Sequence, residues 1–452
     1  MNRLLFLAAL IVAVMLTGCG GGEKTDTLLR SVPAGSPAVA VINIETMLRD
    51  AGVEVSDGEA EIPDSLRSVL GDWPLAGDGL DCSSAVAFHN AGRFVVTFRL
   101  TDGSKMERYY STRSKATFAD DGELRVSSDG HMVLSESQGW WSSGTLSAGE
   151  VRKFLTLEEK ESVVSRGYAE SLMTPGAGVH CVCAVGSLAL LTGSPEGALK
   201  TQAALALIFE NPAYIVSDIR FLPGCAEATG MVLDDKCMPA STAVKFKNID
   251  IRQLSSSGLC GDAFIAMNPD SESVGKLLDR YGAISGIPEG VVKSLRSLSG
   301  DMAMGVSFVN TYPMFPTFDF FATFRDADAA AGAGDFISGL TNETGKVKAD
   351  GKVLRIDTGT PLGLPISEVA DRFDGAVAGA WLSQEGMRLV YTEAWCHAFG
   401  DASVMLRPLD NTLRVEVRLG TTPGRNAAIS LLEAIASVRK TNAEKEGAGD
   451  AE

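Results

Sequence analysis

The sequence has no excess of positive charge and very little histidine. It holds 57 Asp and Glu residues against 40 Lys and Arg, which gives a formal charge of −17, and it has four histidines. Because nucleic-acid-binding proteins normally carry a basic face, this acidic balance argues against a nucleic-acid partner. Apolar residues make up 45% of the chain and charged residues 21%. This composition excludes collagen-like, coiled-coil and wholly disordered proteins.

Short catalytic motifs are also missing. The sequence contains no G-x-S-x-G, Walker A, H-E-x-x-H or G-x-G-x-x-G pattern. We therefore predict a non-catalytic protein without a metal or a cofactor. Paired carboxylates for glycoside hydrolysis stay open, because such residues need not be close in sequence.

One apolar run stands out, at the start of the chain. It extends from Leu4 to Leu16 behind Arg3 and is shorter than the roughly 20 residues that a membrane span needs. The run therefore predicts a signal peptide over residues 1–18. Leu16-Thr17-Gly18-Cys19 resembles a bacterial lipobox. This resemblance implies cleavage before Cys19 and acylation of its thiol and new amine, for example with palmitate. An ordinary secretory signal is the alternative.

Two or three acyl chains anchor a protein stably, and no other stretch of about 18 apolar residues follows. We therefore expect residues 19–30 to form a lipidated tether that attaches the protein to a membrane of the bacterial cell envelope. Position 20 is Gly rather than Asp, so the inner-membrane retention signal of enteric lipoproteins is absent. The outer membrane is the predicted location, with its orientation open.

An internal repeat is present, with offsets of 225 to 229 residues. The aligned segments keep the same order along the chain. They are Ala38–Asn43 with Ala263–Asn268, Ile62–Asp64 with Ile287–Glu289, Ser65–Ser68 with Ser294–Ser297, and Thr97–Arg99 with Thr323–Arg325. We therefore predict two tandem related repeats over 31–255 and 256–440, followed by a disordered acidic tail over 441–452.

The predicted elements favour an α+β fold, with antiparallel sheets and flanking helices in each repeat. Strands follow one another through short turns, such as Asn90-Ala91-Gly92, which is a hairpin signal. The apolar run after Phe318-Asp319-Phe320 indicates burial on both faces of its strand. Other segments predicted as strands are 93–100, 179–184, 188–192, 227–233, 241–247, 386–392, 403–407 and 412–419.

Eight cysteines include Cys19, so the remaining seven cannot all pair within one chain. Buried free thiols are the expectation, with a bridge between Cys225 and Cys237 left open. A zinc site would need both His180-Cys181-x-Cys183 and Cys396-His397, but the usual C-x₂-C spacing is missing. We favour buried thiols here and predict no metal.

Two further sequence patterns are weighed as a catalytic pair and a calcium site. Ser273 and Lys276 fit S-x-x-K, in which a Lys amine activates a Ser nucleophile, but the companion motifs are absent. A solvated helix face is the favoured interpretation. Asp326, Asp328 and Asp335 lack the other ligands of a calcium loop and are expected to cap a helix.

Two aromatic clusters are candidate contacts for a ligand or partner. Trp140 and Trp141 lie in a polar, turn-rich stretch, and Tyr312 and Phe315 lie between two strands of the second repeat. Exposed Trp faces stack on sugars, and exposed apolar tips bind proteins or lipid. Neighbouring strand residues point to opposite faces, so one Trp of the pair is expected in the core.

The lipobox, Leu28–Ala34, and the strand ending at Asn43 with Glu45–Leu48 behind it resemble a family of uncharacterised Bacteroidales lipoproteins. The family is known as a domain of unknown function, and the resemblance covers most of the chain. It implies an envelope lipoprotein and carries over no catalytic residues. We expect a lipid-anchored binding or scaffold protein with a glycan or an envelope protein as its partner. The alternatives are a glycan-binding or glycan-processing lipoprotein and a Ser hydrolase.

Overall fold

The computed structural model describes residues 22–50, 55–56, 59–60, 78–174, 176–192, 194–281, 289–308, 316–341, 346–357, 363–390, 399–431 and 433–434. The predicted signal peptide, Cys19, Tyr312, Phe315, Cys396, His397 and the predicted tail over 441–452 lie outside these residues. Within the described part, no helix has both the length and the apolar character to span a membrane.

The chain divides into two compact units. Unit 1 comprises Met1–Ala203, Pro212–Pro239 and Thr421–Glu452, and unit 2 comprises Ala204–Asn211 and Ala240–Gly420. The expected α+β class is confirmed, because helices pack on a sheet in which neighbouring strands pair antiparallel. The predicted repeat limits, 31–255 and 256–440, concern sequence similarity rather than compactness and stay a prediction.

The sheet of unit 1 has the strand order β12-β11-β10-β1-β4-β5-β9-β8-β7-β6. Ala91 and Gly92 have φ values of 48° and 81°, so the tight turn of the β4–β5 hairpin forms where the sequence predicts it. Its strands, with the separate hairpin β2–β3, are β1 (Ala38–Ile42), β2 (Val55–Ser56), β3 (Glu59–Ala60), β4 (Leu80–Asn90), β5 (Arg93–Leu100), β6 (Phe118–Asp121), β7 (Leu124–Ser127), β8 (Met132–Leu134), β9 (Gln138–Ser142), β10 (Val179–Ala184), β11 (Tyr214–Leu222) and β12 (Cys225–Leu233).

Helices cover both faces of this sheet. One face packs with α1, α4 and α5 around Trp140 and Phe88. The other packs with α2, α3 and helical residues 427–429 around Ile42 and Phe98. The helices are α1 (Gly22–Arg30), α2 (Ile44–Asp50), α3 (Gly103–Ser114), α4 (Ala148–Leu155), α5 (Ala169–Leu172), α6 (Ala189–Thr192) and α7 (Pro195–Ile208), of which α7 ends in unit 2.

The sequence predicts a lipidated tether over residues 19–30, but Gly22–Arg30 of this segment form helix α1, which packs on unit 1. Leu28 and Leu29 are 1% and 0% exposed and belong to the core of unit 1. The Thr25 hydroxyl also donates to Ser84 Oγ at 3.1 Å. These two apolar side chains hold the segment against the sheet, because burying a Leu is favourable by about 1.5–3 kcal/mol.

The sheet of unit 2 has the order β22-β21-β20-β14-β15-β16-β18-β17. Its strands are β14 (Ala263–Met267), β15 (Leu298–Phe308), β16 (Pro316–Phe324), β17 (Lys346–Asp350), β18 (Val353–Asp357), β20 (Ala378–Leu382), β21 (Ala402–Leu409) and β22 (Thr412–Gly420), and β13 (Cys260–Gly261) pairs separately with β19 (Leu364–Pro365). The helices after α7 are α8 (Ile251–Ser255), α9 (Ser271–Tyr281), α10 (Glu289–Arg296), α11 (Ala327–Thr341) and α12 (Gln384–Val390).

The core of unit 2 lies mainly on one face of its sheet. Phe264, Phe321 and Trp381 pack there with α8 and with 3₁₀ turns over residues 366–373. On the opposite face a smaller cluster joins α11 to the β15, β16 and β18 end of the sheet. That opposite face contains the candidate site.

Candidate functional site

The two tryptophans of β9 have different environments. Trp140 is 0% exposed, and its indole Nε1 has no hydrogen-bond partner. A sugar has no access to this side chain, so the expectation that Trp140 contacts a ligand is wrong. Trp140 lies directly opposite Thr97 on β5 and Val133 on β8. Its ring packs in the core of unit 1. Trp141 points to the opposite face of the sheet, where it is half-buried against the core around Ile42 and Phe98.

The Ser273–Lys276 pair does not form a catalytic site. Ser273 is 5% exposed, accepts a hydrogen bond from the Lys245 backbone N–H at 3.0 Å and lies 3.4 Å from Asp270 Oδ2. Lys276 instead pairs with Glu272 at 2.7 Å, and its side chain is 70% exposed. The hydrogen bond to Glu272 raises the pKa of Lys276, which favours the protonated ammonium form and leaves less free amine to accept a proton from a serine. The favoured interpretation, a solvated helix face, therefore fits Lys276.

The histidine and cysteines of β10 are likewise separated by the strand geometry. His180 is 1% exposed and bonds Asp218 Oδ1 through Nδ1 at 2.7 Å. Cys181 points to the opposite face and contacts Ser217 Oγ at 2.8 Å. Burial raises the pKa of Cys181 and raises that of Cys183 to about 12. These thiols therefore stay protonated at neutral pH, whereas zinc binds the thiolate.

Other expectations about single residues have plain outcomes. Cys225 and Cys237 are both free thiols, so the bridge left open between them does not form. Asp326 accepts the backbone N–H of Ala329 at 2.8 Å and thus caps α11, as expected. Among the residues with described coordinates, no group of three or more metal-ligating side chains comes together.

One face of the unit 2 sheet is apolar across six strands and is exposed at several positions, and we call it the apolar face. It consists of side chains that point away from Phe264 and Trp381, since residues directly opposite across antiparallel strands share a face. Its central row crosses six strands, from Val417 on β22 to Phe320 on β16. The row contains Val417, Val404, Ala380, Ile265, Met304 and Phe320.

The rows on either side of it are also apolar at every position. On one side lie Leu419, Ala402, Leu382, Ala263, Val306 and Phe318. On the other side lie Val415, Leu406, Ala378, Met267, Met302 and Ala322. The three rows of six therefore offer no side-chain hydrogen-bond donor, and their only acceptors are the weak thioether sulfurs of three methionines.

Exposure varies across the apolar face. Ile265, Val404 and Val417 are 41%, 42% and 38% exposed, and Phe318 is 42% exposed. Near the β16 end, Met302 and Phe320 pack beside α10 and α11 and are partly buried. Singly exposed apolar residues are normal in soluble proteins, whereas a large contiguous apolar patch is often functional. The apolar face is our candidate functional site.

Sequence reasoning missed this site for a physical reason. A strand that is apolar on both sides, such as Ala263-Phe264-Ile265-Ala266-Met267, predicts burial on both faces. In β16, whose apolar run also predicts burial on both faces, Phe321 and Ala322 are buried but Phe318 is exposed. The available signal was the uninterrupted apolar character of several neighbouring strands.

Comparisons with known proteins add little. No family model matches the chain, and no curated protein matches it. Among solved structures, crystal forms I and III of TP0453 match with 8% sequence identity and a TM-score of 0.24, covering 76% of this chain and 95% and 96% of the TP0453 chains. A likeness this weak carries no argument about fold or function.

Proposed function

We propose that this protein is a lipid-anchored, non-catalytic binding protein of the bacterial cell envelope, and that its body consists of two related repeats. One observation carries the binding role: the apolar face presents three rows of apolar side chains, several of them about 40% exposed. Keeping such a surface in contact with water is unfavourable by about 25 cal/mol per Å². A binding partner that covers the apolar face offsets this cost.

The strand pairing supports the repeat. In unit 1, β1 lies between β4 and β10, followed by β11 and β12. In unit 2, β14 lies between β15 and β20, followed by β21 and β22. The matching segments Ala38–Asn43 and Ala263–Asn268 begin on these two central strands. Gene duplication explains both the shared pairing scheme and the nearly constant offset.

The anchor rests on the apolar run Leu4–Leu16, on Cys19 and on the resemblance to envelope lipoproteins. Because α1 begins at Gly22, few residues separate Cys19 from the folded body. The acyl chains would therefore keep unit 1 close to the bilayer surface.

Metabolic labelling with palmitate tests the anchor. We expect the wild-type chain to incorporate label and to partition into the detergent phase, and Cys19→Ala to do neither. A Cys82→Ala chain is the matched control and should label normally. Label that persists in Cys19→Ala would contradict acylation at this residue.

Binding of anilinonaphthalene sulfonate, a dye that fluoresces in apolar sites, tests the apolar face. Val404→Glu should reduce the fluorescence, because the new carboxylate lies in the central row. Met238→Glu is the matched control, since Met238 is 61% exposed in unit 1, and it should leave the signal unchanged. Equal fluorescence from all three proteins would show that the apolar face is not a binding surface.

A further inference from the structure

The chemistry of the apolar face restricts what it can bind. We propose that it holds the acyl chains of a membrane lipid, an inference that rests on the proposed binding function. The three rows contain only Ala, Val, Leu, Ile, Met and Phe. The backbone groups beneath them pair within the sheet ladders. An occupant therefore gains apolar burial alone, about 0.8 kcal/mol for each buried methylene.

A sugar fits this surface poorly. Each hydroxyl brought onto it without a partner costs about 1–3 kcal/mol. The same reasoning disfavours an extended peptide, whose backbone groups would find no partner among these side chains. Hydrocarbon has no polar group that needs a hydrogen-bond partner, so its transfer to the apolar face carries no such free-energy cost.

The size of the apolar face argues against a protein partner or a second copy of the chain. Six strands at about 4.8 Å spacing extend ~24 Å, and the three rows extend ~13 Å along the strands, which gives an area of roughly 300 Å². A stable protein interface buries about 800 Å² on each partner. Protein interfaces are also only about 56–58% apolar, whereas every position here is apolar.

The shape of the surface suits a flexible chain. Met267, Met302 and Met304 lie together on the neighbouring strands β14 and β15, and the unbranched thioether adapts to ligands of irregular shape. The β16 end is partly covered beside α10 and α11, whereas Val404 and Val417 are open to solvent. An acyl chain could therefore lie along the central row with its tail toward the covered end.

Fluorescence titration with cis-parinaric acid, a natural fluorescent fatty acid, tests this proposal. The full mature chain with Cys19→Ala is used, because it needs no detergent. We expect saturable binding, weakened at least about tenfold by Ile265→Glu, a loss of 1.4 kcal/mol. Met238→Glu should bind as tightly as the parent. If circular dichroism shows that Ile265→Glu does not fold, Ile265→Thr replaces it, with a smaller expected loss.

Four results would overturn the lipid proposal. If anilinonaphthalene sulfonate binds and parinaric acid neither binds nor displaces it, the apolar face binds another class of ligand and the proposed function survives. If neither compound binds, both proposals fail. If sedimentation shows a dimer that Ile265→Glu dissociates, or if the chain binds only intact phosphatidylethanolamine–phosphatidylglycerol vesicles, the face belongs to a second copy or to the bilayer surface.

Discussion

The row of side chains through Ala40 in unit 1 and the row through Ile265 in unit 2 occupy matching places in two sheets with the same pairing scheme. In unit 1 the row continues through Cys181, Ser217 and Gly230. In unit 2 it continues through Ala380, Val404 and Val417. The first row is small and partly polar, with a hydrogen bond between Cys181 and Ser217. The row in unit 2 is apolar throughout, and three of its four residues are branched.

The two units also differ in how the core is distributed over the two faces of each sheet. In unit 1 the two faces of the sheet carry cores of similar extent, one around Trp140 and one around Ile42. In unit 2, among the described residues, the cluster on the side of the apolar face lies at the β15, β16 and β18 end. Large apolar residues therefore contribute to the core where helices pack on them, and the exposed ones form the surface for which we propose a binding role. Substitutions at matched positions of the two units test this difference.

The largest expected effect concerns β9 of unit 1. Trp140→Ala should lower the free energy of unfolding by about 3–5 kcal/mol, because it empties a wholly buried site. Trp141→Ala, on the half-buried side of the same strand, should cost clearly less. Urea unfolding followed by circular dichroism measures both. Equal losses from the two variants would mean that the two faces of this strand are equally buried, against the comparison.

The regular elements of unit 1 show how much the sequence can predict. The strand limits 93–100 and 179–184 agree with β5 and β10 to the residue, because alternation and turn residues define them locally. Helix α1 was missed, since the Gly-rich start of residues 19–30 hides the Leu28–Leu29 contact with the sheet. That contact is tertiary and leaves no periodic signal.

Short apolar runs were the main source of error. Residues 386–392 were predicted as a strand but belong largely to α12, and 188–192 overlap the short helix α6. In α12, the Ser383 hydroxyl accepts the Gly386 N–H at 2.9 Å and caps a segment rich in good helix formers. Residues 241–247 form isolated bridges at Thr242 and Phe246 rather than a strand. In such runs the period cannot separate helix from strand.

The candidate site was harder to predict than the fold. The sequence identified Trp140, Trp141, Tyr312 and Phe315 as possible contacts because aromatic residues are frequent in binding sites. The apolar face instead consists of ordinary strand residues such as Val404 and Ile265. Its identity depends on which helices cover the sheet, and no local pattern encodes that coverage.

Exchanging the residue types at the matched positions Ala40 and Ile265 gives the second-largest expected effect on stability. Ala40→Ile should destabilise unit 1 by about 1–3 kcal/mol, because Ala40 packs against a filled core and extra methylenes strain such sites. Ile265→Ala should cost at most about 1 kcal/mol, since the side chain is already 41% exposed. Thermal and urea unfolding measure both. A greater loss from Ile265→Ala would reverse the comparison and assign Ile265 to the core.

The smallest expected effect depends on pH and belongs to unit 2. Asp301 is 2% exposed, and burial raises its pKa from 3.8 to about 6, although its Oδ2 accepts the Asp250 N–H at 2.9 Å. The matched residue in unit 1, by register, is the neutral Ser84. The folded state therefore binds a proton more tightly than the unfolded state.

It follows that the contribution of Asp301 to stability is full below pH 4 and declines as the pH rises through about 6. Asp301→Asn removes this titration and keeps an acceptor for the Asp250 N–H. We expect the variant to be more stable than the parent at pH 7 by about 1–2 kcal/mol, and to match it near pH 4. Urea unfolding between pH 4 and 7 measures the difference. Parallel stability curves for the two proteins would show that Asp301 titrates normally, and the contrast with Ser84 would then have no electrostatic consequence.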